Sequence, residues 1–476
     1  MEIPKFWKWR KRISFALGLA AFLYIGLRLF LADDYCISNV RYLNADRITS
    51  ETYWIGIRGE RISQISPRPI FAWKKIEGTG YILSPGFLDT NAGGPVTFTP
   101  ARAKLFDGIT TYLSAHGEPK EFEPEQFISV LNAARTIGLQ SFNKSLADKT
   151  FDIASVFKEA LKQSAYGISF SPEYNVYATP QLIASICRTF TNKEVPFSFH
   201  LRFSDKKNEL RGLDEALECG ALGNPIHILH LSSTGGAHFP LEAYRRIETA
   251  RRRGQKVIVD FYPFTYWSSP VGQARFKGEW WKRFDVNISK VKLRSEPDRV
   301  LRFDEVQKLH RIYQYDPLNP KSSPSIIVDS ISPKTIDFFA EQTDAFIGSD
   351  SSQIGHPRAI SSFSKFLETY VKNEDQLANA LHRFSTRAYD EFENFIPELK
   401  NRGKIEPQKV ADLILWDPHN IRARASLKNP QVHSTGVVAA WIGGKLLIEN
   451  SKWIGTWKQK TGTFFKGNLS SITTPN

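Results

Sequence analysis

Between residues 86 and 399, short apolar runs alternate with longer amphipathic stretches, and this alternation constrains the fold more than any other feature of the chain. The pattern predicts helices at residues 129–138, 179–191, 241–253 and 374–391. Strands that alternate with helices of this length pair in parallel, and a parallel sheet can close on itself. The sequence therefore predicts an α/β fold built on a (β/α)8 barrel, the TIM barrel.

The sequences on both sides of this region have the pattern of short β-strands. Residues 36–65 form short β-branched and aromatic runs, residues 410–416 predict a strand, and residues 437–448 predict a hairpin around Gly443 and Gly444. We therefore expect a small composite β-sandwich made from both chain ends. The predicted boundaries are residues 33–84 and 400–455 for the sandwich, 85–399 for the barrel and 456–476 for a polar tail.

The N-terminal region combines a basic cluster with an apolar run. Residues 1–12 carry five basic side chains, and the only charge in residues 13–32 is Arg28. About 20 residues at roughly 1.5 Å per residue span a bilayer core. Arg28 lies near the far end, where its stem can reach the headgroups. We predict a transmembrane signal anchor at residues 13–32, with residues 1–12 as a cytoplasmic flank and the body periplasmic or extracellular.

Two alternatives to an uncleaved anchor stay open. A cleaved signal peptide has a shorter apolar core, and the bulky Phe30 in Phe30-Leu31-Ala32 stands where a small residue is preferred. A buried core helix is the second alternative.

Charge and cysteine content narrow the function classes. The chain of 476 residues has a net charge of +14, part of it from the N-terminal flank. A further basic segment, residues 245–256, is expected to be the solvated outer face of a barrel helix. Since no zinc finger or basic-aromatic pattern accompanies the charge, nucleic acid is not an expected partner. The three cysteines, Cys36, Cys187 and Cys219, form no disulfide framework in sequence, so the redox compartment stays open.

Polar residues stand at the ends of three predicted strands. His200 lies next to the end of the run Pro196–Leu201, His230 lies next to the end of Ile226–Leu231, and Asp350 ends Ala345–Asp350, with Gly355-His356-Pro357-Arg358 a few residues later. Barrel enzymes keep their chemistry at the carboxyl ends of the strands. Two imidazoles and a carboxylate at that rim are typical of a metal hydrolase. For the remaining strand and surface histidines we expect structural roles: His227, His238, His310, His382, His419 and His433.

An ordered set of short motifs resembles the amidohydrolase superfamily, and within it the N-acyl-D-amino-acid deacylases, or D-aminoacylases. The set runs through most of the chain: Pro85-Gly86-Phe87-Leu88-Asp89, Gly108-Ile109-Thr110-Thr111, the His200 and His230 strands, Asp260 to Phe264, Ser349-Asp350, His356-Pro357-Arg358 and Ala411-Asp412-Leu413. The resemblance implies a metal-bearing barrel with a composite β-sandwich. It also implies hydrolysis of an amide to a carboxylate and an amine.

The chain departs from the family pattern at four places. Asn91 and Gly93 stand where the family's first strand usually carries His-x-His, and His116 matches a metal-binding Cys. Ser232 replaces a frequent Lys, and Phe264 replaces the second hydroxyl of an aromatic pair that here begins with Tyr262. The resemblance still implies one zinc per chain, held by His116, His200 and His230.

The family likeness assigns roles to the remaining site residues. Asp350 is the expected base and acid, Arg358 the expected fork for the substrate carboxylate, and Tyr262 and His356 the other expected substrate contacts. The predicted protein is a membrane-anchored, zinc-dependent hydrolase of N-acyl amino acids or similar small amides. Asn91 and Gly93 also leave open a catalytically inactive barrel that serves as a binding or scaffold module at the cell envelope. An imidase is a further alternative, and the sequence does not define the oligomeric state.

Overall fold

The computed structural model describes residues 32–118, 129–191, 195–318, 322–456 and 460–468. The predicted transmembrane segment, residues 13–32, lies outside these residues except for Ala32. Within the described ranges, no helix is both long enough and apolar enough to cross a bilayer.

Strands and helices alternate through the central part of the chain. The strands are β1 (Asp33–Asn44), β2 (Arg47–Ile48), β3 (Tyr53–Arg58), β4 (Arg61–Ser66), β5 (Ala72–Glu77), β6 (Ile82–Pro85), β7 (Phe87–Asp89), β8 (Ile109–Glu118), β9 (Asn132–Gly138), β10 (Gly167–Phe170), β11 (Phe197–Phe199), β12 (Ile226–Ile228), β13 (Val257–Phe261), β14 (Tyr266–Pro270), β15 (Val291–Leu293), β16 (Glu296–Val300), β17 (Ser325–Asp329), β18 (Ala345–Ile347), β19 (Leu413–Trp416), β20 (Val437–Ile442), β21 (Lys445–Glu449) and β22 (Lys452–Trp453). The α-helices are α1 (Phe98–Leu105), α2 (Asn143–Ala147), α3 (Ile153–Lys162), α4 (Pro180–Thr189), α5 (Glu209–Ala221), α6 (Pro240–Arg252), α7 (Trp280–Arg283), α8 (Phe303–Ile312), α9 (Pro333–Glu341), α10 (Arg358–Tyr370), α11 (Glu374–Phe384) and α12 (Thr386–Phe392). Short 3-10 helices cover Leu139–Phe142, Leu231–Ser233, Ala274–Phe276, Ile288–Lys290 and Pro397–Asn401.

Eight parallel strands form the barrel, in the order β7, β8, β9, β10, β11, β12, β13 and β18. The first and last strands approach each other at their carboxyl ends, where the backbone N–H of Thr90, just after β7, donates to the carbonyl of Ile347, the last residue of β18, at 3.3 Å. Strand β18 is apolar and completely buried, as expected for a strand covered on both faces. The predicted TIM barrel is thus present, and the carboxyl ends of its strands share one rim.

Strand β9 corrects one prediction. Residues 129–138 were expected to form a helix, whereas Asn132–Gly138 is a barrel strand between β8 and β10. Every residue of this strand is buried. A strand buried on both faces lacks polar–apolar alternation, so its pattern does not distinguish it from a buried helix.

A ten-stranded sheet joins the two ends of the chain. Its order is β22, β21, β20, β19, β6, β1, β3 and β4, with β2 and β5 also paired to β1. The joint is the antiparallel pair of β6 and β19, in which Pro85 lies opposite Leu413. The hairpin of β20 and β21 turns at Gly443 and Gly444, whose φ angles of 54° and 73° suit glycine.

A third sheet lies between β13 and β18 in sequence, in the order β14, β17, β15 and β16. Its hydrophobic cluster includes Trp267 on β14 and Trp280 on α7, both buried. Because the chain leaves β13 at its carboxyl end, this insertion lies at the rim that carries the polar strand-end residues.

Two features involve distant parts of the chain. Residues 460–468, in the predicted polar tail, lie against the barrel: the Phe465 N–H donates to the Ala133 carbonyl at 2.7 Å, and the Phe465 side chain is fully buried.

Cys187 on α4 and Cys219 on α5 form a disulfide, although the sequence showed no framework for one. Neighbouring barrel helices bring together cysteines that are 32 residues apart.

Candidate active site

Three imidazoles meet at the carboxyl-end rim of the barrel. His116 belongs to β8, His200 follows β11 directly, and His230 lies two residues after β12. One ring nitrogen from each residue lies within 4.8 Å of the others. His200 and His230 are 3% and 2% exposed, and His116 is partly buried. The structure therefore brings together the three histidines that the family resemblance proposed as ligands.

The donor set fits a tetrahedral zinc ion. His200 Nδ1 and His230 Nε2 are 3.1 Å apart, and two nitrogen ligands at about 2.0–2.1 Å from zinc lie roughly 3.4 Å from each other. Burial lowers the pKa of His200 and lowers that of His230 well below its usual value. Both rings are therefore neutral near pH 7, which is the form that binds metal.

Asp350 lies beside this cluster, three residues after β18. Its Oδ1 is 3.2 Å from His116 Nε2 and 3.9 Å from His230 Nε2, and its Oδ2 is 2.7 Å from Arg358 Nη2. Burial raises the pKa of this carboxyl, but the Arg358 charge and the contact with His116 outweigh burial and hold the pKa well below its usual range. Asp350 is therefore a fully ionised carboxylate.

Arg358 begins helix α10 and is buried. Its guanidinium carbon lies 4.6 Å from the ring centroid of Tyr262, which follows β13. Within the described part of the chain, Nε and Nη1 of Arg358 have no hydrogen-bond partner. Burial raises the pKa of Tyr262, so this phenol is protonated near neutral pH. A buried guanidinium with two such nitrogens can donate hydrogen bonds to an anion.

His356 has a different position from the one predicted for it. Its Nδ1 accepts a hydrogen bond from the Arg358 backbone N–H at 3.2 Å, and its ring packs 5.0 Å from that of Tyr266. It is not among the described residues that line the cavity beside the three imidazoles. His356 therefore shapes the turn that carries Arg358.

Asn91 and Gly93 occupy the place where the family pattern has His-x-His. The Asn91 side-chain oxygen accepts from the Gly93 N–H at 3.1 Å, and the Asn91 carbonyl accepts from the Asp350 N–H at 2.7 Å. Gly93 has a φ of 75°, and a Cβ there would lie 3.3 Å from the Asp350 carbonyl carbon. The turn therefore supports Asp350 through its backbone and leaves little room for a second metal-binding side chain at position 93.

Sequence reasoning missed Glu173, which lies three residues after β10. Its Oε2 is 2.8 Å from His200 Nε2, 2.9 Å from Ser204 Oγ and 3.7 Å from Arg275 Nη2. Burial raises the pKa of Glu173, but Arg275 and His200 outweigh burial and lower it overall. The signal was the one used for Asp350, a carboxylate just past an apolar strand, here Gly167–Phe170.

A cavity of about 260 Å³ lies beside the three imidazoles, Asp350 and Arg358. It is lined by His116, Tyr174, His200, His230, Ser233, Thr234, Tyr262, Trp267, Ser268, Pro270, Gln273, Arg275, Asp350 and Arg358. A second cavity of about 400 Å³ shares His116, Tyr174 and Asp350 with it and opens farther toward solvent. Together they give a small molecule a path to the imidazole cluster.

Sequence comparison identifies distant relatives. No protein-family model matches the chain. The chain is 23% identical over 463 residues to a D-aminoacylase from Alcaligenes xylosoxydans xylosoxydans, covering 84% of this chain and 91% of that protein. It is 21% identical over 440 residues to an N-acyl-D-aspartate deacylase from the same organism, covering 79% of this chain and 84% of that protein.

Comparison with solved structures finds similar folds among the same kind of enzyme, the N-acyl-D-amino-acid deacylases. A D-aminoacylase crystal structure has a TM-score of 0.72 at 19% identity, covering 91% of this chain and all of that one. N-acyl-D-glutamate deacylase from Bordetella bronchiseptica, solved with zinc and a phosphonate mimic of the tetrahedral intermediate, has a TM-score of 0.71 at 18% identity, with coverage of 91% and 100%. A further D-aminoacylase neighbour has a binuclear metal centre with one-metal activation. The predicted resemblance to N-acyl-D-amino-acid deacylases is confirmed.

Proposed function

We propose that this chain, whose sequence and fold resemble those of the D-aminoacylases, is a metal-dependent amidohydrolase. It hydrolyses the amide bond of N-acyl-D-amino acids and releases a carboxylate and the free amino acid. The observation that carries the proposal is the meeting of His116, His200 and His230 with the ionised Asp350 at the carboxyl-end rim of the barrel. We assign one zinc ion per chain to the three imidazoles.

The chemistry divides between the metal and the protein. A zinc ion held by His116, His200 and His230 would supply a bound water with a pKa lowered toward about 7 and Lewis acidity toward the scissile carbonyl. Asp350 is placed to accept a proton from the attacking water and to return it to the departing nitrogen. Its contact with Arg358 makes it a weak base in the free protein.

Substrate binding is expected to change the basicity of Asp350. In the free protein Arg358 Nη2 contacts Asp350, while its Nε and Nη1 face no described partner. The α-carboxylate of an N-acyl amino acid can accept from those two groups and take up part of the guanidinium charge. Asp350 then becomes more basic when substrate is present. The protonated Tyr262, below the guanidinium, is a candidate donor to the substrate carbonyl.

The test is zinc content together with turnover on the full-length protein in detergent. We expect about one zinc per chain, loss of that zinc in His200→Ala and His230→Ala, and release of D-amino acid from N-acetyl-D-amino acids. Asp350→Asn should keep the zinc and lose turnover. His433→Ala serves as the control, because His433 packs 4.0 Å from Phe106, away from the cavity.

Absence of zinc from the folded protein, even after reconstitution, would overturn the hydrolase proposal. That outcome would favour a catalytically inactive barrel that acts as a binding module. Asn91 and Gly93 are the observations behind this second candidate, since they remove two ligands that the family pattern carries.

We also propose that the protein is attached to a membrane by residues 13–32, with its barrel outside the cytoplasm. Two observations support this: the basic residues that precede the apolar run, and the disulfide between Cys187 and Cys219. Disulfides persist mainly in oxidising compartments such as the periplasm. The protein should stay in the membrane fraction after alkaline extraction, and external protease should digest the barrel in spheroplasts. Release by alkali would contradict an anchor.

A further inference from the structure

Glu173 holds the far side of the His200 ring. The side chain of Glu173 is 9% exposed, and its Oε2 lies 2.8 Å from His200 Nε2. The other ring nitrogen, His200 Nδ1, faces His230 Nε2 at 3.1 Å. The carboxylate and the proposed metal position therefore lie on opposite edges of one imidazole.

This arrangement determines which nitrogen of His200 carries hydrogen. A carboxylate oxygen only accepts, so the Nε2 edge donates to Glu173. In a neutral imidazole, Nδ1 then keeps its lone pair and directs it toward His230 and the cavity. This is the tautomer that binds a metal through Nδ1.

Neighbouring groups hold Glu173 itself. Ser204 Oγ donates to Oε2 at 2.9 Å, and Arg275 Nη2 lies 3.7 Å from the same oxygen. Arg275 is clamped in turn: its guanidinium carbon is 4.1 Å from the Trp267 ring centroid, and Nη1 donates to the Tyr174 hydroxyl at 2.9 Å. The positive charge of Arg275 thereby compensates the negative charge of Glu173, and a guanidinium is not itself a metal ligand.

The adjacent residue restricts the same ring. Tyr174 lies with its ring centroid 4.4 Å from that of His200, at an interplanar angle of 34°. Glu173 thus hydrogen-bonds to one edge of the His200 ring, and Tyr174 packs on one face of it. Rotation of the imidazole out of its present plane would break both contacts.

We propose that Glu173 is a positioning residue that fixes the tautomer and orientation of His200 for metal binding. The proposal rests on the zinc site described under the proposed function. A carboxylate bonded to the far nitrogen of a histidine ligand preorganises the ligand and raises its basicity, and removing such a partner typically weakens metal binding by about 10- to 100-fold.

The test compares zinc affinity in two isosteric variants of the full-length protein, measured by competition with a chelator. Glu173→Gln keeps the volume and removes the charge, and we expect zinc to bind about 10- to 100-fold more weakly. The matched control is Glu209→Gln. Glu209 is another buried glutamate bonded to a histidine, His238, at 2.7 Å, but it lies outside the cavity. The control should bind zinc like the wild type.

Thermal unfolding of the zinc-free proteins separates positioning from stability. Equal zinc affinity in folded Glu173→Gln and wild type would overturn the proposal and leave the hydrolase proposal intact. If Glu173→Gln binds zinc more weakly than the wild type but the wild type has no deacylase activity, the role of Glu173 is supported and the hydrolase proposal is contradicted. If wild type binds no zinc, both proposals fall. Should Glu173→Gln not fold, Ser204→Ala, which removes one bond to Oε2, must also weaken zinc binding, and unchanged affinity there overturns the proposal.

Discussion

The backbone N–H of Asp350 donates a 2.7 Å hydrogen bond to the carbonyl oxygen of Asn91. This bond links the turn after the last barrel strand to the turn after the first. Asp350 has a φ of 45°, an unusual value for a residue other than glycine, and the bond helps to hold it there. The residue that replaces a family histidine therefore serves as a backbone anchor for the candidate catalytic carboxylate.

Replacing Gly93 should damage this anchor. In Gly93→Ala the φ of 75° becomes unfavourable, and the new Cβ meets the Asp350 backbone at 3.3 Å. We expect a loss of about 1–2 kcal/mol in the free energy of unfolding, and a lower kcat because Asp350 shifts. Gly94→Ala is the control, since its nearest neighbour is the movable Ser352 hydroxyl. Urea unfolding gives the comparison, and equal stability of the two variants would contradict the argument.

Arg358 should discriminate substrates by their carboxylate. In Arg358→Met we expect kcat/KM for an N-acetyl-D-amino acid to fall by about 10- to 150-fold, since a hydrogen bond to a charged group contributes roughly 1.5–3 kcal/mol. The corresponding N-acetyl-D-amino acid amide has no carboxylate and should lose much less. Steady-state kinetics with both substrates measure the ratio. An equal loss for both would mean that Arg358 acts only through its contact with Asp350.

Asp107 should make stability depend on pH. This side chain is fully buried between the N–H groups of Phe363 and Ser364, and burial raises its pKa to about 6. An unfolded Asp has a pKa near about 3.9, so between these values the folded state binds more protons. The contribution of Asp107 to stability is therefore greatest below about pH 4 and decreases as pH rises to about 6, by up to roughly 3 kcal/mol. The difference in unfolding free energy between wild type and Asp107→Asn should follow this curve, whereas parallel profiles would refute it.

The disulfide should stabilise the packing of α4 against α5. For a loop of 32 residues, loss of the link is expected to cost about 3–4 kcal/mol on the chain-entropy account. Cys187→Ser with Cys219→Ser, or reduction of the wild type, should therefore lower the urea midpoint, and reductant should have no further effect on the double variant. Cys36→Ala is the control, since Cys36 is buried and unpaired. An unchanged midpoint after complete reduction would contradict this expectation.

The residues that could be predicted from sequence share a local signal. His200, His230 and Asp350 each end an apolar run, and the topology of a parallel barrel then brings such ends to one rim. Glu173 ends a strand in the same way, but its role depends on a pairing with His200 across 27 residues, which no spacing rule indicates.

Two other features depend on tertiary structure. Cys187 and Cys219 pair because α4 and α5 are neighbours around the barrel, which local sequence does not encode. Strand β9 has a mixed apolar pattern because it is buried on both faces, so periodicity alone favoured a helix. Sequence patterns thus located the rim and most of its polar groups. The interactions that hold these groups in place depend on contacts between distant elements, which the patterns do not show.

The meeting of the chain ends in one sheet also governs when the protein can fold during synthesis. Trp416 Nε1 donates to Ser84 Oγ at 2.9 Å across 332 residues, and the Phe465 N–H donates to the Ala133 carbonyl of β9. The first strands of this sheet therefore emerge from the ribosome long before their partners exist. Contacts so distant in sequence delay folding and leave strand edges unpaired. The ten-stranded sheet can therefore be completed only after strands β19 to β22 have been synthesised, so its N-terminal strands must wait for partners that the ribosome makes last.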